Sequence, residues 1–471
     1  MKYSEQYKDC LEYIDEYWDK IIFKPSRIRL EYKYINIPTL LPEKNPNPHI
    51  INIPYSYIVP NTGFFKRIYY WDSYFMFKGL IGTKRQSVTR KMVDNFLYLY
   101  GKYQIIPNFN APASINRSQP PFLSSMILDS YLSPLHALKN NKYHTSISSS
   151  VYKLRNMGWL KRASHIAKQE YETVWIDKDN LYNHHVDGYE LSRYGDRDIG
   201  YAHSSELESG WDMTSRFYNK CDQFLPIDLN SYLFKYEKDF EYIAKLSNNS
   251  TDEKYWREKS ERRKKEINKY MWDDHEKFFF DYGYVFKLVS HFFSLASYTV
   301  LWAGLATESQ AKHMVEKLSK FETPYGLTIS DADSIAKPIN LAKIQRRYHP
   351  AINEIIKPKQ WDYPNIWSPL EYLTVIGLLK YGYVDDAKRI MEKSVSAHAR
   401  LFKKHKTFFE KINGKTGEPG VGALYGDQEG FGWTNAVFYR YIQILDAIDS
   451  KQSIYLSPKS KKPPYTLSIL H

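Results

Sequence analysis

Cysteine is scarce in this chain: Cys10 and Cys221 are the two it has. They cannot form a disulfide framework or a cysteine-based metal centre, and their scarcity favours a reducing compartment. Met1 to Cys10 holds no apolar core of the kind a secretory leader needs. No apolar run approaches the roughly 18 residues required to cross a bilayer. Strand-like alternation is rare, and Lys277 to Phe286 is the best short candidate. Short-period repeats are missing, and no linker divides two composition classes. These absences predict a cytoplasmic protein without membrane contact, built around one large unit.

Aromatic residues are plentiful, at 16% with 42 Tyr. A Tyr or Trp ring offers a flat apolar face with a polar tip, which suits sugars, bases and interfaces. The net charge of +13 raises the question of nucleic acid, but 66 basic residues are interspersed with 53 acidic ones. The densest run, Arg257 to Lys265, reads as the solvated face of a helix, so no nucleic-acid partner is expected.

From about Thr83 onward the apolar spacing is mostly helical, with candidate helices over 84–103, 121–139, 146–168, 206–220, 230–247, 252–271, 287–305, 308–320, 368–382, 384–403 and 431–448. Ser4 to Ile22 adds one at the start. Consecutive helices pair through short turns, which predicts an all-α ring of helix pairs. The expected division is a lead-in over 1–50 packed on the barrel, a catalytic domain over 51–450 and a tail over 451–471. Long spacers at 51–82, 104–120, 178–205, 322–367 and 404–430 are rich in Tyr, Trp, Asp, Asn, Gly and Pro. Loops of that length on a rigid scaffold usually hold the functional residues.

Five of the 11 Trp residues are followed by Asp, at 18, 71, 211, 272 and 361. Chance would give about one. Trp18-Asp19 and Trp272-Asp273 end helices and read as structural. The other three sit in or beside long spacers, where each supplies a stacking face and an acceptor for hydroxyls. Glu206-Leu-Glu-Ser-Gly-Trp-Asp212 is the richest stretch. An acid shielded by Trp211 can keep its proton at neutral pH, so Asp212 is a candidate proton donor. Taken alone, the stretch also reads as a helix end. Glycoside hydrolysis needs a second carboxylate, ionised where the first is not. Glu410, Glu418, Asp427 and Glu429 are all candidates, and composition does not choose among them.

These residues fall into blocks that resemble the trehalases. Gln360-Trp-Asp-Tyr-Pro-Asn-Ile-Trp-Ser-Pro369 fits one trehalase signature throughout, and Tyr69-Tyr-Trp-Asp-Ser-Tyr-Phe75 fits half of another. Asn116-Arg-Ser-Gln-Pro-Pro121, Glu208-Ser-Gly-Trp-Asp212 and Gln428-Glu-Gly-Phe-Gly-Trp-Thr-Asn435 are similar to further blocks, in the family's order. The resemblance implies an (α/α)6 barrel and an inverting glycosidase that needs no metal or organic cofactor. It implies Asp212 as general acid and Glu410 as general base. It places Phe65, Tyr69, Trp71, Asp72, Asn108, Arg117 and Gln119 around the glucose that is cleaved, with Trp361 and Asp362 on its other side. Arg117 also reads as a structural ion-pair partner, and Asn108 as a turn residue.

The chain departs from the pattern on the leaving-group side. Phe64 stands where the family has Arg, and Leu424, beside Tyr425, stands where it has Glu. Fewer hydroxyl partners there weaken discrimination for a second glucose. Apart from that side, the family's Arg-Pro-Glu-Ser block upstream of the acid has no clear match, and Leu191 to Arg197 occupies the region. The expected activity is α,α-trehalose hydrolysis by a monomer or small homo-oligomer. The alternatives are hydrolysis of glucosylglycerol, glucosylglycerate or mannosylglycerate, or a sugar-binding barrel without activity.

Overall fold

The computed structural model describes residues 2–25, 49–139, 149–177, 179, 181–195, 204–336, 359–422, 425–452, 454 and 456. Among the described residues, helices of two kinds alternate along the chain. They are α1 (Lys8–Ile21), α2 (Tyr70–Leu80), α3 (Ser87–Tyr103), α4 (Leu123–Lys139), α5 (Ser149–Glu170) and α6 (Ile227–Leu246). Then come α7 (Ser250–Met271), α8 (Thr299–Ala303), α9 (Glu308–Glu316), α10 (Ser368–Lys380), α11 (Val384–His405) and α12 (Gly432–Asp449).

The even-numbered helices form a closed inner ring. Each packs on the next, and α12 returns to α2. The odd-numbered ones lie outside: α1 and α11 against α12, α3 and α5 against α4, and α7 against α6. Tyr298, just ahead of α8, donates to the Met314 carbonyl of α9 at 2.8 Å. This is the expected (α/α)6 barrel. α1 packs on α12 from outside, and residues 26–48 of the expected lead-in lie outside the described residues.

Burial explains the two kinds. Every residue of α2 is buried, as is α10 from Ser368 to Leu379. A helix covered on all sides carries no polar stripe. α7 instead buries Trp256, Ser260, Arg263, Ile267 and Met271, spaced three or four apart, and leaves the rest outward. The ring closes tightly: a Cβ on Gly79 of α2 would lie 2.7 Å from Ala436 of α12. Buried ion pairs tie helices together, within the ring and between the layers. Lys78 of α2 meets Asp129 of α4. Arg263 of α7 meets Glu237 of α6 at 2.7 Å. Arg263 is therefore the exception in the charged run expected to be solvated, because its guanidinium satisfies an acid inside the barrel wall.

Some sequence expectations fail for physical reasons. Residues 70–80 are helix rather than spacer, since an inner helix shows no amphipathic period. The helix expected over 206–220 is confined to Ser204–Glu208 and breaks at Gly210, whose φ is +74°. The helix expected over 287–305 begins as a strand at Leu288–Val289 and becomes α8 only after a tight turn of helix at Leu295–Tyr298. Phe278–Phe279 and Tyr282–Gly283 are short strands within the stretch expected to be extended. Much of the spacers at 178–205 and 322–367, and most of the tail, lies outside the described residues.

Candidate active site

The N-termini of α2, α10 and α12 meet at one end of the ring through their tryptophans. Trp71 of α2 lies 5.5 Å from Trp361, and Trp361 stacks flat on Trp367 at 3.8 Å. Trp433 of α12 closes edge-on against Trp71, Trp361 and Trp367. Above this floor opens a cavity of about 180 Å³. Its wall is Phe65, Tyr69, Trp71, Asp72, Asn108, Phe109, Arg117, Gln119, Leu207, Gly210, Asp212, Trp361, Glu410, Tyr425, Phe431 and Trp433. The volume lies below the roughly 300–1,000 Å³ typical of drug-sized sites and suits a small polar ligand.

Two polar groups of the wall are fixed from behind. Asn108 donates its side-chain amide to the carbonyls of Ser118 and Leu207, at 3.2 and 3.3 Å. Gln119 accepts from the Trp71 amide at 3.2 Å. Gly210 admits Trp71 to the floor, because a Cβ there would lie 2.7 Å from the indole ring. The left-handed bend and the close approach both require glycine at that point.

The three acids of the Glu206–Asp212 stretch separate into different tasks. Glu208 accepts from the Ser118 and Gly195 amides, at 2.8 and 2.7 Å, and meets His184 at 2.8 Å. Glu206 accepts from the Thr214 amide at 2.6 Å. Asp212 alone of the three lines the cavity. Its loop is latched by Asp362, whose carboxylate takes the Thr214 hydroxyl, the Ser215 amide and hydroxyl, and the Lys359 amide, all within 3.0 Å. Gln360 donates to the Asp212 carbonyl. Arg216, gripped by Asp228 and Asp281, stacks over Trp211 at 4.6 Å.

Two expected ligand-contacting residues therefore stand elsewhere. Trp211 is fully buried behind Trp361 and does not line the cavity. Asp362 spends its carboxylate on the Asp212 loop and is fully buried. Phe64 lies at the rim, 70% exposed, stacked on Tyr425 at 6.0 Å. Leu424 lies outside the described residues. The other named residues, Phe65, Tyr69, Trp71, Asp72, Asn108, Arg117, Gln119, Trp361 and Tyr425, share the wall with Asp212 and Glu410. Phe109, Leu207, Gly210, Phe431 and Trp433 line it without having been singled out. Phe431-Gly-Trp433 lay inside a recognised block, so the signal was available there.

Of the four base candidates, Glu410 alone faces the cavity. Glu418 pairs with Lys404 at the surface, and Asp427 and Glu429 are exposed. Glu410 is 2% exposed. Its amide donates to the Gln428 carbonyl at 2.9 Å, and its own carbonyl takes the Trp433 indole N–H at 3.0 Å.

Electrostatics distinguish the three cavity carboxyls. Burial pushes Asp212 well above the usual carboxylate range, and the nearby charges of Asp72, Glu410 and Glu206 push the same way. Burial, with a smaller push from Glu410, raises Asp72 to about 8. Burial also raises Glu410, but Lys411 and the Tyr425 hydroxyl oppose it. Three close carboxyls cannot all ionise, and the one beside a cation gives up its proton first. Burial and neighbouring carboxyls thus favour the protonated form of Asp212, while Lys411 and Tyr425 oppose the same rise at Glu410, an asymmetry of the kind acid–base cleavage uses. Among the described residues no group of three or more His, Cys, Asp or Glu side chains gathers as a metal site.

The trehalase family model matches residues 3–208 and 197–446. A probable trehalase of Saccharomyces cerevisiae is 32% identical over 89% of this chain and 59% of its own length. The cytosolic neutral trehalase of the same yeast is 31% identical over 91% of this chain and 63% of its own length. The chain therefore spans about three-fifths of the curated relatives it matches. The solved neutral trehalase of that yeast superposes with a TM-score of 0.66 at 29% identity, covering 83% of this chain and 73% of its own.

Proposed function

The chain belongs to the trehalase family, and on that premise we propose that it hydrolyses α,α-trehalose to two glucose molecules with inversion. Asp212 protonates the glycosidic oxygen as the bond to the anomeric carbon breaks. A water on the opposite face attacks that carbon, and Glu410 takes its proton. One proton leaves Asp212 and one arrives on Glu410, so solvent exchange restores the pair. Inversion requires about 6.5–9.5 Å between the two carboxyls to admit the water. The observation that carries this reading is the unequal treatment of two acids on one cavity wall: Glu410 has a cation and a hydroxyl beside it, while Asp212 faces other carboxyls. Asp72, Asn108, Arg117 and Gln119 supply hydroxyl partners, and the indoles of Trp71, Trp361 and Trp433 supply apolar faces. The cytosolic naming of the yeast relative supports a cytoplasmic setting.

A second reading keeps the chemistry and changes the leaving group. Phe64 at the rim favours it, since a phenyl ring offers a sugar hydroxyl no partner. The deciding experiment offers trehalose, glucosylglycerol, glucosylglycerate and mannosylglycerate side by side and follows the product anomers by proton NMR. Trehalose should give equal α- and β-glucose at the earliest times. Release of α-glucose alone would mean retention and overturn the mechanism. Turnover confined to a glycerol or glycerate glycoside would move the assignment to the second reading.

A further inference from the structure

We propose that Lys411 is a positioning residue for this reaction, clamping the Glu410 carboxylate together with Tyr425 so that it stays ionised and turned toward the water it deprotonates. The inference rests on Glu410 being the base.

The geometry is specific. The Lys411 ammonium lies 3.1 Å from Glu410 Oε2, and both side chains are 2% exposed. The Tyr425 hydroxyl donates to Oε1 at 2.9 Å. Each carboxylate oxygen therefore has one donor and keeps a lone pair for a proton. The ammonium also lies over two rings, 5.1 Å from the Trp367 centroid and 5.9 Å from that of Tyr425. The backbone is held on both sides. The Glu410 carbonyl is bound by Trp433, and Ile412–Asn413 pairs as a short strand with Asn365–Ile366. A buried lysine beside a buried glutamate cannot swing into solvent, so this contact is not a screened surface pair.

The function of the clamp follows from what faces Glu410. Asp72 and Asp212 share the cavity wall as carboxyls that burial pushes toward their protonated form, and Asp427 adds a negative charge from the following loop. Lys411 opposes that charge and the burial of Glu410, and Tyr425 assists it. Without the ammonium, burial and like charge act on Glu410 unopposed except by one hydroxyl. The carboxyl then retains its proton to higher pH and cannot accept one from water.

The test is the pH profile of kcat/KM for trehalose, or for whichever glucoside the substrate comparison identifies. In wild type the acid limb reports loss of the base form. Lys411→Met should move that limb upward by about 1–3 pH units, the span typical of an opposite charge at this range. The basic limb, set by Asp212, should move far less. Lys411→Arg keeps the charge in a bulkier head and should hold the acid limb near its wild-type position even if kcat falls. It also serves if the Met variant fails to fold. An acid limb unmoved in folded Lys411→Met, or moved equally in Lys411→Arg, overturns the clamp. Glu410→Gln separates the two levels. If it is inactive while Lys411→Met leaves the limb in place, the clamp alone is wrong. If it keeps most activity, the base assignment fails and the clamp with it.

Discussion

Buried carboxylates occupy two regions of this barrel under opposite terms. In the helix layers each has a cation or a set of donors. Glu237 has Arg263, Asp129 has Lys78, and Asp239 has Lys235 with the hydroxyls of Ser124 and Ser125 at 2.9 Å. At the cavity, Asp72 and Asp212 face one another and Glu410, and Lys411 is shared with Glu410 alone. The same side-chain chemistry yields architecture in one place and reactivity in the other. A buried acid in the layers is held by its ion pair, while burial and neighbouring acids push Asp212 and Asp72 toward their protonated forms.

The largest effects should come from the cavity members proposed to move protons. Asp212→Asn and Glu410→Gln should each lower kcat by about 10²–10⁴-fold or more, with melting temperature and circular dichroism near wild type. A variant with near-normal turnover would end the distinction between the two regions. Next is the layer pair. Arg263→Met strands the fully buried Glu237, and breaking such a pair costs about 3–5 kcal/mol. Adding Glu237→Gln should recover much of that loss, since the penalty lies in the unpaired charge. Urea melts of both variants measure this. Turnover per folded molecule should not change, because neither side chain reaches the cavity.

Much of this division was legible in the chain and part was not. The ring could be read from the alternation of helices and from blocks in order. α2 could not, because Tyr70 to Leu80 is buried on every face and so lacks the periodic signal of a surface helix. Asp212 and Asp362 follow tryptophan in the same way, yet one opens into the cavity and the other latches its loop. That difference depends on Thr214 and Ser215 reaching Asp362 across 148 and 147 residues of chain. Trp211 was misplaced for a similar reason: the stack of Trp361 on Trp367 and the closeness of Trp71 to Gly210 leave it behind the floor.

Asp72 sharpens the contrast through stability. Its folded carboxyl holds a proton up to about pH 8, whereas the unfolded chain releases it near 3.8. A raised carboxyl favours the folded state most at low pH, and that contribution declines as pH rises through the folded value. Wild-type stability should therefore carry a downward slope with pH between about 4 and 8 from this group. Asp72→Asn cannot ionise, so its melting temperature should gain on wild type from pH 5 to pH 8. A constant gap across that range would mean Asp72 is charged in the folded protein.

The smallest effect belongs at the rim, where the enclosure that perturbs the acids has ended. Phe64 is largely exposed and touches the site through Tyr425 and Phe65. An aromatic contact of this kind is worth about 0.5–1.5 kcal/mol, so Phe64→Ala should change KM for trehalose by about 2- to 10-fold and leave kcat near wild type. The direction is informative. A raised KM means that the ring stacks on the leaving sugar. A lowered KM means that it crowds that sugar, and smaller leaving groups should then lose their relative advantage in the variant. A fall in kcat at constant KM would instead place Phe64 in the chemical step, through its stack on the tyrosine that holds Glu410.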